Sequence, residues 1–125
     1  MEWSNDQKAV LSSRGNVLVS ASAGSGKTTV LIEKIIRMLE EGADIRRILV
    51  MTFTRAAAQD MKTKLVEKMY KRLSFGKTSD AIRKQLEYVP FADVCTINSF
   101  CFSLMKKYFS VVGVDPSCNI LDEDE

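Results

Sequence analysis

With 125 residues, 46% of them hydrophobic, the chain is long enough for one domain around a buried core and too short for two comfortable ones. A formal net charge of +2 provides no global field for a polyanionic partner, so any basic surface has to come from local clustering. Cys95, Cys101 and Cys118 form no CxxC pair and the chain has no His, which excludes a Cys/His zinc site and leaves the cysteines as buried thiols of a reducing compartment.

Ser4 or Asn5 can cap a short helix through Gln7, Ala9, Val10 and Leu11, which Gly15 ends. The run NVLVSA (16–21) reads as a buried strand, because Val17, Leu18 and Val19 are continuously apolar between turn residues. A loop of small residues follows. Beyond it Leu31, Ile35 and Leu39 recur every four residues, with Glu33, Lys34, Arg37 and Glu40 on other sides, which predicts an amphipathic helix closed by Gly42. RILVMTF (47–53) is a second buried strand, and Thr54 is a cap for a long helix from Arg55 to about Leu73. Gly76 with Lys77, Thr78 and Ser79 breaks that helix, and another is predicted over Asp80–Tyr88, ahead of Pro90. ADVCTI (92–97) is a third strand, followed by a helix from Ser99 to about Phe109. The order α-β-α-β-α-α-β-α predicts an α/β fold, a parallel sheet covered by helices on both faces. No 18-residue apolar run and no basic-then-apolar leader occurs, so neither a membrane span nor a secretory signal is indicated, and a cytoplasmic location is the default expectation.

A phosphate cradle needs backbone N–H groups turned toward one point, room for oxygens to approach, and a helix that begins where the charge sits. Gly24 and Gly26 provide the room, and a helix opening near Lys27 provides the positive end of its dipole. The stretch Ala21-Ser22-Ala23-Gly24-Ser25-Gly26-Lys27-Thr28 fits GxxxxGK[ST] except at its first position, where Ala21 replaces Gly. Lys27 is then set to reach the β- and γ-phosphates and the Thr28 hydroxyl to ligate Mg²⁺, with Thr29 completing the candidate nucleotide set. The bland alternative is a Gly-Ser-Gly turn beside an exposed lysine. A strand pattern before the loop and an amphipathic helix after it favour the cradle.

Phosphate loops serve kinases, GTPases, transporters and motors alike. The second strand ends in Thr52-Phe53-Thr54 and runs into Arg55, at the carboxyl edge where ligands of open α/β sheets bind. The third strand ends in the same way, with Thr96, Asn98, Ser99 and Phe100. Hydroxyls and helix N-termini suit phosphodiester oxygens, and an aromatic ring suits a base face, although either Phe taken singly also fits a core position. Between residues 62 and 84 lie Lys62, Lys64, Lys68, Lys71, Arg72, Lys77, Arg83 and Lys84 against Glu67 and Asp80. Such a run is either a local basic patch or a solvated helix face.

The order Gln7, ASAGSGKT, TFTRAAAQDM and TINSFC resembles the Q motif, Walker A (motif I), motif Ia and motif Ib of the UvrD/Rep group of superfamily 1 DNA helicases. Within that group it is most similar to the N-terminus of AddA-type helicase–nuclease subunits, with Trp3 four residues ahead of Gln7 and a similar tail, VGVDPSCNILDEDE. The resemblance implies a P-loop NTPase with a RecA-like parallel sheet, of which residues 1–125 are the N-terminal part of the ATP-binding domain, an incomplete first motor lobe. It implies ATP and Mg²⁺ as cofactors, single- and double-stranded DNA as partners, and a second, AddB-type subunit. It also implies a 3′–5′ helicase that unwinds and resects double-strand breaks, with an exonuclease elsewhere in the full-length chain. Gln7 would read the adenine edge. Thr52, Phe53, Thr54, Arg55, Thr96, Asn98, Ser99 and Phe100 would track single-stranded DNA. Arg55 stands where the group usually has Asn, which adds a phosphate-seeking charge, and Asn98 replaces a frequent His.

Phosphoryl transfer in such motors needs a Walker B carboxylate pair and an arginine finger. Neither is evident. ILDE (120–123) has just two apolar residues ahead of Asp122-Glu123, and the acidic tail reads as a solvated edge. The chain alone is therefore expected to hydrolyse ATP negligibly. Three other readings stay open: a UvrD/Rep-type repair helicase without a nuclease, a small-molecule P-loop phosphotransferase, and a non-catalytic interaction domain.

Overall fold

The first element of the computed structural model, which describes residues 2–75 and 79–119, starts at a reciprocal cap. Ser4 Oγ accepts from the Gln7 amide N–H (3.2 Å) while Gln7 Oε1 accepts from the Ser4 N–H (3.0 Å), and helix α1 (Asn5–Ser12) begins there. Helix α2 (Lys27–Glu40), strand β1 (Leu49–Thr52), helices α3 (Arg55–Ser74) and α4 (Ser79–Tyr88), strand β2 (Asp93–Thr96) and helices α5 (Ile97–Lys107) and α6 (Phe109–Val112) follow, with 3₁₀ turns at Ile45–Arg47 and Val89–Phe91. The two strands pair in parallel, Leu49 opposite Asp93 through Thr52 opposite Thr96. Parallel pairing requires a long crossover, and α3 with α4 forms it.

The core lies between α2, α3 and α4 and under one face of β1. Ile32, Ile35, Ile36 and Leu39 from α2 meet Met61, Leu65 and Met69 from α3, with Ile82, Val50 and Ile45 closing the cluster. These α2 residues recur at three- and four-residue steps, the period that lines one helical face.

Three expectations from the sequence need correction. The predicted strand over 16–21 is irregular chain, with Val17, Leu18 and Val19 at 46%, 97% and 44% exposure. An apolar run becomes a strand only where a neighbour satisfies its N–H and C=O groups, and the described sheet consists of β1 and β2 alone. That sheet is also covered on one face rather than two: Val50 is buried, Leu49 and Met51 are exposed, and α5 buries no residue. The cysteines are free but not buried, Cys101 being exposed and Cys95 and Cys118 half-buried. The break expected at Gly76–Thr78 and the reading of ILDE and the acidic tail lie outside the described residues.

A buried carboxylate ties the helices together. Glu33 on α2 accepts from Arg37 Nε (3.1 Å) and from Arg72 of α3 (2.8 Å), and Lys68 Nζ of α3 stands 3.3 Å from its second oxygen. Lys68 also lies 6.0 Å from the centre of the Trp3 ring, extending the network to the start of α1. Part of the basic run is thus internally paired, Lys64 with Asp60 as well as Lys68 and Arg72 with Glu33. Burial pushes the Glu33 carboxyl up, but the Arg37 hydrogen bond and the Arg72 and Lys68 charges outweigh it and hold the group below its ordinary 4.5. Its contribution to stability is present above pH 4.5 and is lost as pH falls through the lowered folded value. Glu33→Gln is expected to cost about 2 kcal/mol at neutral pH, because removing one partner strands buried charge while the three cations keep some access to water. Thermal unfolding across pH checks this: the wild type loses stability on acidification below pH 4.5, and the variant shows a flatter acid limb.

Candidate functional site

The small-residue loop ahead of α2 closes on itself. Ser25 N–H donates to Ser22 O (3.3 Å), and Gly24 (φ 78°) and Gly26 (φ 81°) take the left-handed conformation that side chains disfavour. Space is open around Gly24, whereas a Cβ on Gly26 would come within 3.5 Å of Gln7 Nε2. Gly26 is the N-cap of α2 and supplies no side-chain acceptor, so the first-turn amides of Lys27, Thr28 and Thr29 carry the helix dipole's positive end without a side-chain cap. The Lys27 ammonium folds back over the loop, donating to Ala21 O (2.5 Å) and Ser22 O (3.0 Å).

Helix α1 flanks this loop. Gln7 Nε2 donates to Ser25 O at 3.4 Å, and Gln7, Val19, Ala21, Ser25, Lys27 and Val30 are among the residues lining a cavity of about 380 Å³. That volume falls within the range of small-molecule sites. Of the sequence-predicted nucleotide set, Gln7, Ala21, Ser25 and Lys27 line this cavity, whereas Ser22, Ala23, Gly24, Gly26, Thr28 and Thr29 do not. An ammonium on a flexible stem, uncapped helix amides and two left-handed glycines form a donor set that fits a phosphate chain, and the exposed Thr28 hydroxyl at the helix start is an oxygen ligand suited to Mg²⁺. Among the described residues, no cluster of three or more His, Cys, Asp or Glu side chains could hold a metal ion by itself. Of the two caps that the sequence allows for α1, the structure selects Ser4, whose S-x-x-Q spacing to Gln7 is the local signal for it. Sequence reading missed the part that Lys34 plays beside this site, for which no local signal exists.

The second predicted set assembles at the carboxyl ends of the strands. Thr52 and Thr96 are register partners, so β1 and β2 end side by side and their helices open from one edge. Thr54 Oγ1 accepts from Ala57 N–H (3.1 Å) to cap α3, and Thr96 Oγ1 accepts from Ser99 N–H (3.0 Å) to cap α5. The Thr96 cap is why α5 begins at Ile97, ahead of the expected Ser99. Thr52 Oγ1 donates to Thr54 O (3.0 Å), and Thr96 Oγ1 donates to Ser99 Oγ (2.8 Å). The hydroxyls thus shape the edge, while Arg55 and Asn98 are exposed and Phe100 is half-buried. Phe53 stands 93% exposed, which removes it from the core. Phe53→Ala is expected to change stability by less than about 0.5 kcal/mol, whereas Thr96→Ala, which deletes a cap, lowers it by about 1 kcal/mol. Denaturant titration of the two variants beside the wild type measures both.

Comparison with known proteins places the chain in a family. Residues 3–125 match the model of the UvrD/REP helicase N-terminal domain. The chain is 44% identical over 99% of its length to an ATP-dependent helicase/nuclease subunit of Bacillus mycoides. It is 42% and 44% identical, each over 98% of its length, to proteins of the same name from Bacillus licheniformis and Geobacillus kaustophilus. In each case it spans 10% of the relative's length. A family match across nearly the whole chain, with relatives above 40% identity, settles the assignment: the chain belongs to the UvrD/REP helicase N-terminal domain family.

Proposed function

We propose that residues 1–125 are the ATP-binding opening part of the first motor lobe, of P-loop NTPase and RecA-like architecture, in an ATP-dependent DNA helicase/nuclease. In this reading the protein steps along single-stranded DNA and resects double-strand breaks. The observation that carries it is the Lys27 ammonium held over the loop carbonyls at the uncapped start of α2, in a cavity that Gln7 also lines.

The amides of Gly24 through Thr28 bind the phosphate oxygens, and Lys27 exchanges the Ala21 and Ser22 carbonyls for β- and γ-phosphate. Thr28 supplies a hydroxyl ligand to Mg²⁺, which when bound neutralises charge on the phosphates. Gln7 faces the base edge. Its Oε1 keeps a second lone pair beyond the one given to Ser4, and its 3.4 Å contact to Ser25 O is long enough to yield to a base acceptor. At the strand edge the opening amides of α3 and α5 take phosphodiester oxygens, Arg55 adds charge, and Phe53 stacks on a base. The names of the relatives support the nuclease-bearing form over a bare repair helicase and over a small-molecule phosphotransferase. A 3′–5′ direction, an AddB-type partner, a cytoplasmic location and a carboxylate pair and arginine finger supplied from beyond these residues belong to the same proposal. Among the described residues, no helix is long and apolar enough to cross a membrane.

Lys27→Ala is expected to weaken ATP binding roughly 30-fold, the loss of about 2 kcal/mol for a charge-assisted hydrogen bond. Phe53→Ala is expected to weaken binding of a single-stranded oligonucleotide by about 1–3 kcal/mol and to leave ATP affinity unchanged. Equilibrium titrations with each ligand test both, and a Lys27→Ala protein that binds ATP like the wild type contradicts the proposal.

A further inference from the structure

Helix α1 has little to hold it. It is eight residues long, below the length at which an isolated helix is stable in water, and Leu11 is the residue it buries. It has no basic residue in its own last turn to meet the carbonyls that a helix end leaves unpaired. Lys34 of α2 reaches this end from outside, at the Val10 carbonyl, which also accepts from the Ser13 N–H (3.3 Å) and Ser13 Oγ (2.6 Å), and at Ser13 itself. Its ammonium donates to Val10 O (2.9 Å), Ser13 O (2.7 Å) and Ser13 Oγ (3.1 Å), which uses all three of its N–H bonds. Lys34 also lines the cavity that Gln7 and Lys27 line.

Lys34 follows Lys27 by two helical turns, so one rigid element bears both the lysine at the phosphate loop and the lysine that seats α1. The seat matters because Gln7 reaches the loop through a single 3.4 Å contact to Ser25 O. Without the Lys34 clamp, α1 keeps the burial of Leu11, the 3.4 Å Gln7–Ser25 contact, the Trp3–Lys68 contact at its start and a 4.0 Å, highly exposed Arg14–Glu41 pair beyond its end.

We propose that Lys34 is a positioning residue that sets the base preference of the nucleotide site, by clamping the C-terminus of α1 and so fixing Gln7 relative to Lys27. The inference rests on the proposed reading of Gln7 as the group that faces the base. Its test is a comparison of ATP and GTP affinities, read by competition against a fluorescent nucleotide, for the wild type, Lys34→Met, Lys34→Arg, Ser13→Ala, Gln7→Ala and the Gln7→Ala/Lys34→Met double variant.

Lys34→Met is expected to weaken ATP about tenfold and GTP less than about twofold, which erases the preference; Lys34→Arg restores most of it. Ser13→Ala, which removes one of the three acceptors and leaves the backbone in place, gives a smaller loss in the same direction. In the Gln7→Ala background Lys34→Met has no further effect on the ratio, because the two residues act in series. A wild-type ATP:GTP ratio in Lys34→Met, or equal weakening of both nucleotides, overturns the positioning role and leaves the pocket reading intact. A wild type that binds both nucleotides equally overturns the base-facing role of Gln7, and one that binds neither overturns the nucleotide site itself.

Discussion

A carboxylate whose side chain is 4% exposed is shared by three cations, and through it α2 is locked to α3. Two of those cations sit on α3, and one of them reaches on to Trp3, so the network joins two helices to the segment that leads into α1. The arrangement matters less for net stability, since a buried ion pair often gains little over well-packed apolar groups, than for the fixed orientation it imposes. Helix α2 begins with Lys27, carries Glu33 on its inner side and presents Lys34 to α1. The loop, the Gln7 amide and the α3 helix are thereby referred to one rigid rod.

The two candidate regions use the same device. At the phosphate loop, Gly26 begins α2 without a side-chain cap and leaves amides for an anion. At the strand edge, Thr54 and Thr96 cap α3 and α5, and each satisfies one first-turn amide while the helix dipole still points outward. In the proposed function the first serves as the localised triphosphate site and the second as the shallower one for a repeating backbone. Phe53, held in solvent beside the second, has no partner within the core that would account for its place there.

Most helices are legible in the sequence because their signals are local. Thr54 before an apolar-periodic run, Gly42 after another and Ser4 three residues ahead of Gln7 each depend on neighbours within one turn. The segment over 16–21 misleads because Val17, Leu18 and Val19 state a need for burial, and the sequence does not state which strand, if any, meets it. Glu33 and Lys34 read as members of a polar helix face. Arg37 apart, their partners lie on other elements, among them Arg72 at 39 residues from Glu33 and Val10 and Ser13 at 24 and 21 from Lys34, beyond the reach of any periodicity. The loop residues of the candidate site are legible as a set, while the clamp that seats Gln7 against them is visible only in the fold.

The central claim is that the loop between Ala21 and Thr28 is built to take a triphosphate. A crystal structure of the protein with Mg²⁺ and a non-hydrolysable ATP analogue tests it most directly. The account predicts phosphate oxygens on the amides of residues 24–28, Lys27 Nζ moved from the Ala21 and Ser22 carbonyls onto the β- and γ-phosphates, and the adenine beside Gln7. A nucleotide bound elsewhere, with Lys27 still donating to those two carbonyls, would contradict it.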